Sequence, residues 1–559
     1  MTPLEETTNN QRLAADPKSS VFVMANAGSG KTRVLTNRVA RLLLSGAEPQ
    51  KILCITFTKA AAAEMAERLF SVLGEWALAS DEDLVKALSE LEGSEVAPKS
   101  AADLAGARRS FAKALETPGG LKIQTIHSFC ESVLRRFPIE AGAPPGFTVI
   151  EDAQALAMRN RALDELAISA KKDPEIATAF TRLSASRAEQ TLRDLLLFGR
   201  RVTFEDESVD ETLAALARQL LIDPTLSEDS IKAQFIGFLS ADDLKCAHDG
   251  LAAEGKQPQE AARRLAPYFT ATDPREQWEI LTGFLMTADR KGMRKKIATA
   301  ATNKVDPWVG PFLDKLADDF ETTLTQIKTL ILFHDTAAHL RLCTALNDLY
   351  AEAKASRAAL DFDDLIIRAR RLFSRVNSAW IMYKLDYGVD HILIDEAQDT
   401  SPSQWAVVES LFEEYFSGAG ARQDQRSFFA VGDMKQSIYS FQGADVGLFK
   451  AKEFDLGQRL TAVTDYKNLQ LKMSFRTTAP VLSFVDEVFS ERAAAEGLGE
   501  YPIPTHGVCR EGVAGSVELW PLAPRPETEK VEAWDAPVDA PAGENPVGVL
   551  FDRIALTIK

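Results

Sequence analysis

A glycine-rich turn that ends in lysine and threonine is the first stretch whose residue types can carry out chemistry. The segment "ANAGSGKTR" (residues 25–33) follows a short apolar run and precedes apolar residues at helical spacing. In such a turn, backbone N–H groups and a helix N-terminus surround phosphate groups, and glycines permit the tight backbone path. We expect Lys31 to reach the β- and γ-phosphates of a nucleotide and the Thr32 hydroxyl to coordinate magnesium. The expected nucleotide-binding residues of the loop are Ala25, Asn26, Ala27, Gly28, Ser29, Gly30, Lys31, Thr32 and Arg33.

The first position of this loop departs from the usual G-x-x-x-x-G-K-[ST] pattern, because Ala25 stands where the first glycine is normally found. Ala25 lies at the entry of the loop, where we expect a methyl group to be accommodated. The alternative is a chance Gly-Ser turn that caps a helix. The strand pattern before the loop and the helix pattern after it favour the phosphate-binding interpretation.

Two adjacent acids follow an apolar run much later in the chain, in "HILIDEAQD" (residues 391–399). A phosphate-binding loop needs an acidic partner on a neighbouring strand, and adjacent acids at a strand end are otherwise expensive to bury. We expect Asp395 to hold magnesium, through water, and Glu396 to position and polarise the attacking water. The alternative is a strand end whose acids simply face solvent.

A third stretch, "FFAVGDMKQSIYSFQGAD" (residues 428–445), places polar and aromatic residues after a predicted strand. Gln436 lies where a side chain at a strand end can sense a γ-phosphate. Tyr439 and Phe441 have the ring faces on which bases of a single strand stack, each worth about 1–3 kcal/mol. Taken alone, the two aromatics could equally belong to a hydrophobic core.

These turns need a scaffold that brings distant strand ends together. Short apolar runs alternate with helical patterns, which is typical of a parallel α/β domain. Residues from about 75 to 118 predict a helical excursion, and residues 151–355 predict a large, mostly helical insertion. The apolar runs that predict strands are residues 19–25, 51–58, 121–130, 390–396, 427–433 and 469–475.

Composition sets the broad class of the protein. A chain of 559 residues with 45% hydrophobic residues predicts several globular domains. The net charge of −17 argues against a protein coated in nucleic acid, although a local channel could still hold DNA. We expect a cytoplasmic protein without a signal peptide or membrane span. The five cysteines are scattered, so neither disulfides nor a zinc or iron–sulfur site are expected.

The ordered motifs resemble those of superfamily-one DNA helicases of the UvrD/RecB type, in which alanine is usual at the first loop position. Within that family, "TIHSFC", "RRFPIEAGAPPGFTVIED" and "GSVELWPL" are most similar to the AddA group of alphaproteobacterial type. AddA proteins are the helicase–nuclease subunits of a bacterial complex that resects double-strand breaks. The segments that carry the family resemblance are "NNQRLAAD", "ANAGSGKT", "ITFTKAAAAEM", "TIHSFC", "LDFDDLI", "ILIDEAQDT", "VGDMKQSIYSFQGAD" and "LKMSFRTTAPVLSFVDEVF".

The resemblance implies an α/β fold: a RecA-like, parallel-sheet motor domain with a large helical insertion, followed by the start of a second RecA-like domain. The first motor domain is expected at residues 1–150 and 356–465, and the helical insertion at 151–355. The second motor domain is expected to begin at 466 and to be cut short at 559.

The resemblance also implies roles for residues outside the loop. Gln11 matches a glutamine that reads the adenine edge, Phe475 an aromatic that stacks on adenine, and Arg476 an arginine that reaches the γ-phosphate. Gln398 and Gln436 match residues that couple the phosphate state to the grip on DNA. The implied catalytic residues are Lys31, Glu396, Gln436 and Arg476. The residues that match the single-strand path are Thr56, Phe57, Thr58, His127, Ser128, Tyr439 and Phe441, the last standing where many relatives carry tryptophan.

The function implied by the resemblance is an ATP- and Mg²⁺-dependent 3′-to-5′ DNA helicase or translocase of double-strand-break repair and recombination. A C-terminal nuclease and an AddB-like partner subunit are implied for the full-length protein. Two alternatives stay open: a stand-alone UvrD-like repair helicase, and a nucleotide-dependent DNA-binding scaffold without motor activity. Since no second arginine finger or nuclease domain is found, we expect an N-terminal fragment that binds ATP but hydrolyses it poorly. The "DYK" in "TDYKN" (residues 464–468) is expected to be a polar turn, not a nuclease signature.

Overall fold

The computed structural model describes most of the chain, and it forms two compact units. One unit comprises Met1–Pro145 and Phe362–Lys559, and the other comprises Gly146–Asp361. The described residues are 2–93, 99–118, 120–185, 187–198, 208–253, 255–294, 297–298, 300–374, 389–417, 426–440, 443–462, 464–498, 505–522 and 546–558.

Ten strands lie in the described residues, and all but two belong to the discontinuous unit. The strands are β1 (Ser19–Ala25), β2 (Ile52–Thr56), β3 (Lys122–Thr125), β4 (Thr148–Val149), β5 (Ala359–Leu360), β6 (His391–Ile394), β7 (Ser427–Gly432), β8 (Asp465–Leu471), β9 (Met473–Thr478) and β10 (Gly507–Arg510). The helices of this unit are Pro3–Ala14, Lys31–Leu44, Lys59–Leu78, Asp81–Glu92, Ala101–Leu115, Ile126–Arg136, Phe362–Ser374, Pro402–Ser417, Val446–Thr461, Ala479–Val488 and Pro546–Ile558.

The scaffold of the discontinuous unit is a six-stranded sheet in the order β3-β2-β6-β7-β1-β8, with every neighbouring pair parallel. Its central strands read as unbroken apolar runs because helices cover both faces of a parallel sheet. Every residue of β2, β6 and β7 is buried. The register aligns Val23 of β1 with Val431 of β7, and Cys54 of β2 with Leu393 of β6. The predicted α/β fold with a parallel sheet is therefore confirmed.

Parallel strands carry their following turns to one edge of the sheet. The loop at residues 25–33 follows β1, the acid pair follows β6, and the Gln436 segment follows β7. The short helix Met434–Gln436 continues directly from that last strand. The motifs separated by hundreds of residues in sequence thus meet at the carboxyl edge of the same sheet.

The continuous unit is almost entirely helical, apart from the short parallel pair β4 and β5. Its axis is a helix of 47 residues, Val309–Ala355. One half of that helix packs on a cluster that includes Trp278 and Phe320, and the other half on a cluster that includes Leu163 and Leu346. The other helices of the unit are Asp152–Ser169, Pro174–Ser184, Glu189–Phe198, Val209–Gln219, Glu228–Phe238, Ala241–Ala252, Lys256–Leu265, Pro274–Leu285 and Ala300–Val305.

The run predicted as one strand at residues 469–475 is two strands in different sheets. Leu471 ends β8 in the six-stranded sheet, whereas Met473 begins β9, which pairs with β10. Both residues are buried, and the exposed Lys472 between them connects one sheet to the other. An apolar pattern records burial but not which sheet provides it, so the sequence could not reveal the break. We propose that the second motor domain starts after Leu471 rather than at 466.

The "DYK" residues are not the polar turn that their composition predicts. Asp465, Tyr466 and Lys467 are the first residues of β8, at the edge of the sheet beside β1. The Asp465 carboxylate accepts a hydrogen bond from the Ser19 hydroxyl at 2.8 Å and pairs with the Lys467 ammonium at 3.1 Å. Polar side chains suit an edge strand, which explains why the pattern resembled a turn. The described residues contain no group of three or more His, Cys, Asp or Glu arranged to hold a metal ion.

Among the described helices, none combines the length and apolar character needed to cross a membrane.

Candidate active site

The loop after β1 has the backbone of a phosphate cradle. Gly28 and Gly30 have φ values of 72° and 89°, a region that glycine enters without steric cost. Gly30 immediately precedes the helix Lys31–Leu44, so the helix N-terminus opens into the loop. Ser29 is fully buried, and its Oγ has no hydrogen-bond partner in the structure. An orphaned buried hydroxyl inside such a loop fits a site built for a polar ligand.

Strand β9 crosses directly over this loop. The Phe475 N–H donates to the Gly28 carbonyl at 2.8 Å. A Cβ atom on Gly28 would lie 2.7 Å from the Ser474 Oγ and 2.8 Å from the Arg476 Cβ. Arg476 is exposed, so its side chain starts beside the loop and faces solvent. The structure thus brings Phe475 and Arg476 to the phosphate loop.

Gln11 also lies on the loop. Its Nε2 donates to the Ser29 carbonyl at 2.8 Å, and a Cβ atom on Gly30 would lie 3.0 Å from the same nitrogen. Gln11 is carried by the helix Pro3–Ala14, whose start is fixed by a capping box between Thr2 and Glu5. The structure places Gln11 at the loop backbone. Its hydrogen bonding to the adenine edge, which the resemblance implies, remains a prediction.

A buried arginine, which sequence reasoning missed, ties this helix to the loop helix. Arg38 is 0% exposed and donates to the carbonyls of Ala14, Asp16 and Ser19 at 2.8, 2.8 and 2.5 Å. Burial lowers the pKa of its guanidinium to about 9. The planar fork of an arginine holds its donors in a fixed geometry that spans several carbonyls, whereas the donors of a lysine are confined to one nitrogen on a flexible stem. The segment that carries Gln11 is therefore anchored to the helix that carries Lys31.

The acid pair separates at the end of β6. Asp395 stays within the sheet edge, and its N–H donates to the Ile55 carbonyl at 2.9 Å. Glu396 has a φ of 50°, which is unusual for a residue with a side chain and costs on the order of 1–3 kcal/mol. Such strain is found where a site requires a particular side-chain direction. The backbone turn lets the two adjacent carboxylates point to different partners.

Lys31 and Glu396 form the central ion pair of the site. The Lys31 ammonium lies 2.6 Å from the Glu396 Oε2, with side-chain exposures of 11% and 34%. Asp395 is more deeply buried, and burial together with the neighbouring Glu396 raises the pKa of its carboxyl to about 6. The site therefore holds one acid paired with the loop lysine and one acid whose charge is poorly compensated.

Gln398 connects the acid pair to the end of β7. Its Nε2 donates to Glu396 Oε2 at 3.0 Å, and its Oε1 accepts from the Asp433 N–H at 3.0 Å. Asp433 Oδ2 in turn accepts from Gln436 Nε2 at 2.7 Å. Gln398 is 1% exposed, so water does not compete for these contacts. A continuous polar chain runs from Lys31 to Gln436.

Asn26 joins the loop to the same segment through a lysine that sequence reasoning also missed. The Lys435 ammonium donates to Asn26 Oδ1 at 2.7 Å. It also lies 3.3 Å from Asp433 Oδ1. Lys435 stands next to Gln436 in "GDMKQ", so its position inside a functional segment was the available signal.

The donor set fits a magnesium nucleotide. Thr32 is the second residue of the loop helix, and Asp395 follows β6, which is separated from β1 by β7, and has a carboxyl that lacks full charge compensation. An oxygen donor and a destabilised carboxylate are the ligands that Mg²⁺ takes in nucleotide sites.

Ala25 is the last residue of β1 and is 3% exposed, so the loop accommodates its methyl group. Ala27 is half-buried in the loop, whereas Arg33 is exposed on the helix.

Two of the aromatic residues expected to bind DNA contact each other with tilted rings. The rings of Phe57, after β2, and Tyr439, after β7, have centroids 4.2 Å apart with an interplanar angle of 37°. Both side chains are half-buried at the carboxyl edge of the sheet. They therefore are not simply core residues. Phe441 lies outside the described residues.

The other residues expected along the single-strand path belong to turns after β2 and β3. Thr56 is buried and its hydroxyl donates to the Thr58 carbonyl, while Thr58 caps the helix Lys59–Leu78. Ser128 bonds to Thr125, which caps the next helix. The ring of His127 packs edge-on against that of Phe362 at 5.3 Å. The structure thus gives Thr56 and Thr58 local structural contacts, and their DNA contacts remain predictions.

Comparisons with known proteins agree with this geometry. Residues 6–456 match the family model described as the UvrD/REP helicase N-terminal domain. The chain is also similar to proteins named as subunits of an ATP-dependent helicase/nuclease. The sequence identity is 24% with the subunit from Latilactobacillus sakei, over 92% of this chain and 58% of that protein. It is 25% to that of Ligilactobacillus salivarius, over 87% and 38%, and 26% to that of Lactobacillus acidophilus, over 86% and 40%.

These relatives are longer than the chain, which spans between 38% and 58% of their length. They come from lactobacilli, so the expected alphaproteobacterial type is not supported. The similarity to helicase/nuclease subunits, by contrast, agrees with the resemblance found in the sequence.

Proposed function

Because the chain belongs to the UvrD/REP helicase family, we propose that it is the ATP-hydrolysing motor part of a DNA helicase. Membership of the family implies the use of ATP with a metal ion, which we propose to be Mg²⁺. The similar proteins are named as ATP-dependent helicase/nuclease subunits, which supports helicase activity. A role in double-strand-break repair and recombination is part of the proposal and comes from the resemblance of the sequence motifs. A 3′-to-5′ direction, a nuclease elsewhere in the full-length protein and an AddB-like partner subunit belong to this proposal.

The observation that carries the proposal is the 2.6 Å ion pair between Lys31 and Glu396. It joins the phosphate loop to the acid that would activate water, at one edge of one sheet. A triphosphate in the loop would compete with Glu396 for the Lys31 ammonium. Glu396 released from that pair is free to orient a water molecule and accept its proton.

The remaining residues have roles that follow from their positions. Thr32 and Asp395 would hold Mg²⁺, which neutralises charge on the phosphates. Arg476, which begins beside Gly28, would contribute positive charge from the second motor domain. Gln398 would transmit a displacement of Glu396 to Asp433, because it hydrogen-bonds to both residues. Asp433 would transmit it in turn to Gln436.

The test is DNA-stimulated ATP hydrolysis by the complete natural protein, compared with Glu396→Gln. We expect kcat to fall by about 10²–10⁴-fold in the variant, the range for loss of a general base. ATP binding should persist or tighten, because glutamine cannot form an ion pair with Lys31. Glu67→Gln, at an exposed helix position, makes the same chemical change and should leave kcat unchanged.

Unwinding of duplexes with a 3′ or a 5′ tail tests the direction in the same preparation. A wild-type protein that binds ATP but shows no DNA-dependent turnover would contradict the motor proposal and favour a nucleotide-dependent scaffold. Turnover that survives Glu396→Gln would show that Glu396 is not the base.

A further inference from the structure

Asn26 is a meeting point of three elements at the phosphate loop. Its N–H donates to the Leu471 carbonyl at 3.0 Å, and its Nδ2 donates to the Lys472 carbonyl at 3.3 Å. Its Oδ1 accepts from the Lys435 ammonium at 2.7 Å. Asn26 is 9% exposed, so these contacts are largely shielded from water. Asn26, itself a residue of the loop, thus contacts both the crossing between β8 and β9 and the segment after β7.

Lys435 lies on the segment that leads to the contact between the Phe57 and Tyr439 rings. It is four residues before Tyr439, whose ring lies 4.2 Å from that of Phe57. Its ammonium also pairs at 3.3 Å with Asp433, a residue that is 3% exposed and bonded to Gln398 and Gln436. A displacement of Lys435 would therefore affect a short, hydrogen-bonded segment rather than a free side chain.

Charge makes the contact between Lys435 and Asn26 sensitive to what the loop holds. A neutral amide is a weaker acceptor for an ammonium group than a phosphate oxygen, which carries negative charge. Asn26 is itself a loop residue, so a triphosphate in the loop would lie close to the Lys435 ammonium. The bound nucleotide would then compete with Asn26 for this lysine.

We propose that the hydrogen bond between Asn26 and Lys435 is a nucleotide-sensitive link between the phosphate loop and the Tyr439 segment. Lys435 acts as a positioning residue: phosphate oxygens bound in the loop draw its ammonium group away from the Asn26 amide. The Phe57–Tyr439 pair is thereby held differently with and without bound nucleotide. ATP consequently changes the affinity of the protein for single-stranded DNA. This inference rests on the proposed function.

The experiment measures thermodynamic coupling in the complete natural protein. The dissociation constant of a labelled oligo(dT) is determined with and without a non-hydrolysable ATP analogue and Mg²⁺, and the ratio gives the coupling. We expect a wild-type ratio of at least about fivefold, typical of linked sites. Lys435→Met should bring the ratio to within about twofold of one, and Lys435→Arg should retain coupling.

Two further comparisons separate coupling from simple damage. Lys452→Met removes a lysine of similar exposure, which pairs with Glu409, and should keep the wild-type ratio. Asn26→Ala should reduce the ratio, and its combination with Lys435→Met should reduce it no further than either change alone. A merely structural role for Lys435 would weaken both dissociation constants without altering their ratio.

The outcomes distinguish this inference from the proposed function. Coupling that survives Lys435→Met, or a wild-type ratio of one, overturns the link but leaves the motor intact. Equal loss of coupling in Lys452→Met overturns the link as well. A wild-type protein that binds neither the nucleotide analogue nor DNA overturns the proposed function, and the inference falls with it.

Discussion

Glu396 shows how one residue can serve two states of a site. Its φ of 50° directs the side chain to Lys31, while Asp395 keeps its place at the sheet edge through the Ile55 carbonyl. The pair with Lys31 compensates the charge of Glu396, whereas Asp395 bears the cost of burial. A magnesium nucleotide would reverse this distribution of charge, because it supplies a cation to Asp395 and a competing anion to Lys31.

His391, at the opposite end of the same strand, makes the stability of the fold depend on pH. Burial, and then the charges of Arg38 and Lys51, lower the pKa of its imidazole to about 3. The unfolded chain takes up a proton near pH 6.5, whereas the folded chain does not until about pH 3. This residue's contribution to stability is therefore complete above pH 6.5 and is lost as the pH falls towards 3.

We expect His391→Gln to weaken the acid sensitivity of unfolding. At pH 5 the wild-type histidine should cost about 2 kcal/mol relative to pH 8, and the variant should not show this loss. The measurement is the free energy of unfolding in urea from pH 8 to pH 5, taken as variant minus wild type. His334→Gln, a half-exposed histidine of the helical unit, is the control. A difference that does not change with pH would contradict the assignment.

Residue types alone were enough to predict that the glycine-rich loop and the acid pair belong to one site, because each lies within one short, characteristic segment, and the structure brings Lys31 and Glu396 together. Arg38 and Lys435 were not predicted, since their partners are brought near only by the fold. Asn26 and Lys435 are 409 positions apart, and a lysine in a polar segment normally indicates solvent exposure. Long-range pairing of this kind has no periodicity that a single sequence can reveal.

At the level of elements, β9 lies directly over the glycine-rich loop after β1. The hydrogen bond from Phe475 to Gly28 leaves no room for a side chain at Gly28. The helix after the loop imposes a second constraint at its far end, where Gly46 has a φ of 97° with open space around it. These two glycines share a positive φ but differ in their surroundings.

Gly28→Ala and Gly46→Ala therefore separate backbone strain from steric exclusion. Both should lose about 1–2 kcal/mol of stability from the positive φ. Gly28→Ala must in addition displace Ser474 or Arg476, so its affinity for an ATP analogue should fall at least about tenfold. Thermal unfolding and equilibrium binding measure the two effects. Equal affinities in the two variants would show that the approach of β9 does not shape the nucleotide site.

The element pattern was predictable where burial and periodicity agree. The strands of the central sheet and the helical insertion were expected from the sequence, because apolar runs and helical spacing extend over many residues. The predicted strand at residues 121–130 was wrong in its second half, since residues 126–130 belong to the helix Ile126–Arg136, which Thr125 caps. The division at Lys472 was not, since Leu471 and Met473 are both buried but in different sheets. Only pairing partners distinguish one long strand from two short ones.

At the scale of the whole molecule, a net charge of −17 argues against holding DNA by bulk electrostatic attraction. Binding would have to depend on local features such as the Phe57 and Tyr439 rings, which stack irrespective of charge. The two compact units also have separate hydrophobic cores, one around the parallel sheet and others around the long helix. Separate cores predict that the units can lose structure independently.

A buried charge cluster in the helical unit provides the test of that independence. Asp361 Oδ2 accepts hydrogen bonds from Arg159, Lys354 and Tyr350 at 3.1, 3.2 and 2.8 Å, and the two cations are at most 10% exposed. Asp361→Asn removes the negative charge that both cations face. Breaking a buried ion pair in this way costs about 3–5 kcal/mol.

We expect Asp361→Asn to destabilise the helical unit while the parallel sheet keeps its protection. Hydrogen exchange in mild denaturant, followed by mass spectrometry, should show faster exchange in the helix Asp152–Ser169 and unchanged exchange in β1. Asp335→Asn is the matched control. The Asp335 carboxylate pairs with Arg182 and Arg187, and the three side chains are 21–32% exposed. Ion pairs that water reaches contribute only about 0–1 kcal/mol. Equal loss of protection in Asp152–Ser169 and β1 would mean that the chain unfolds as a single cooperative body, so the separate cores would not be independent units of stability.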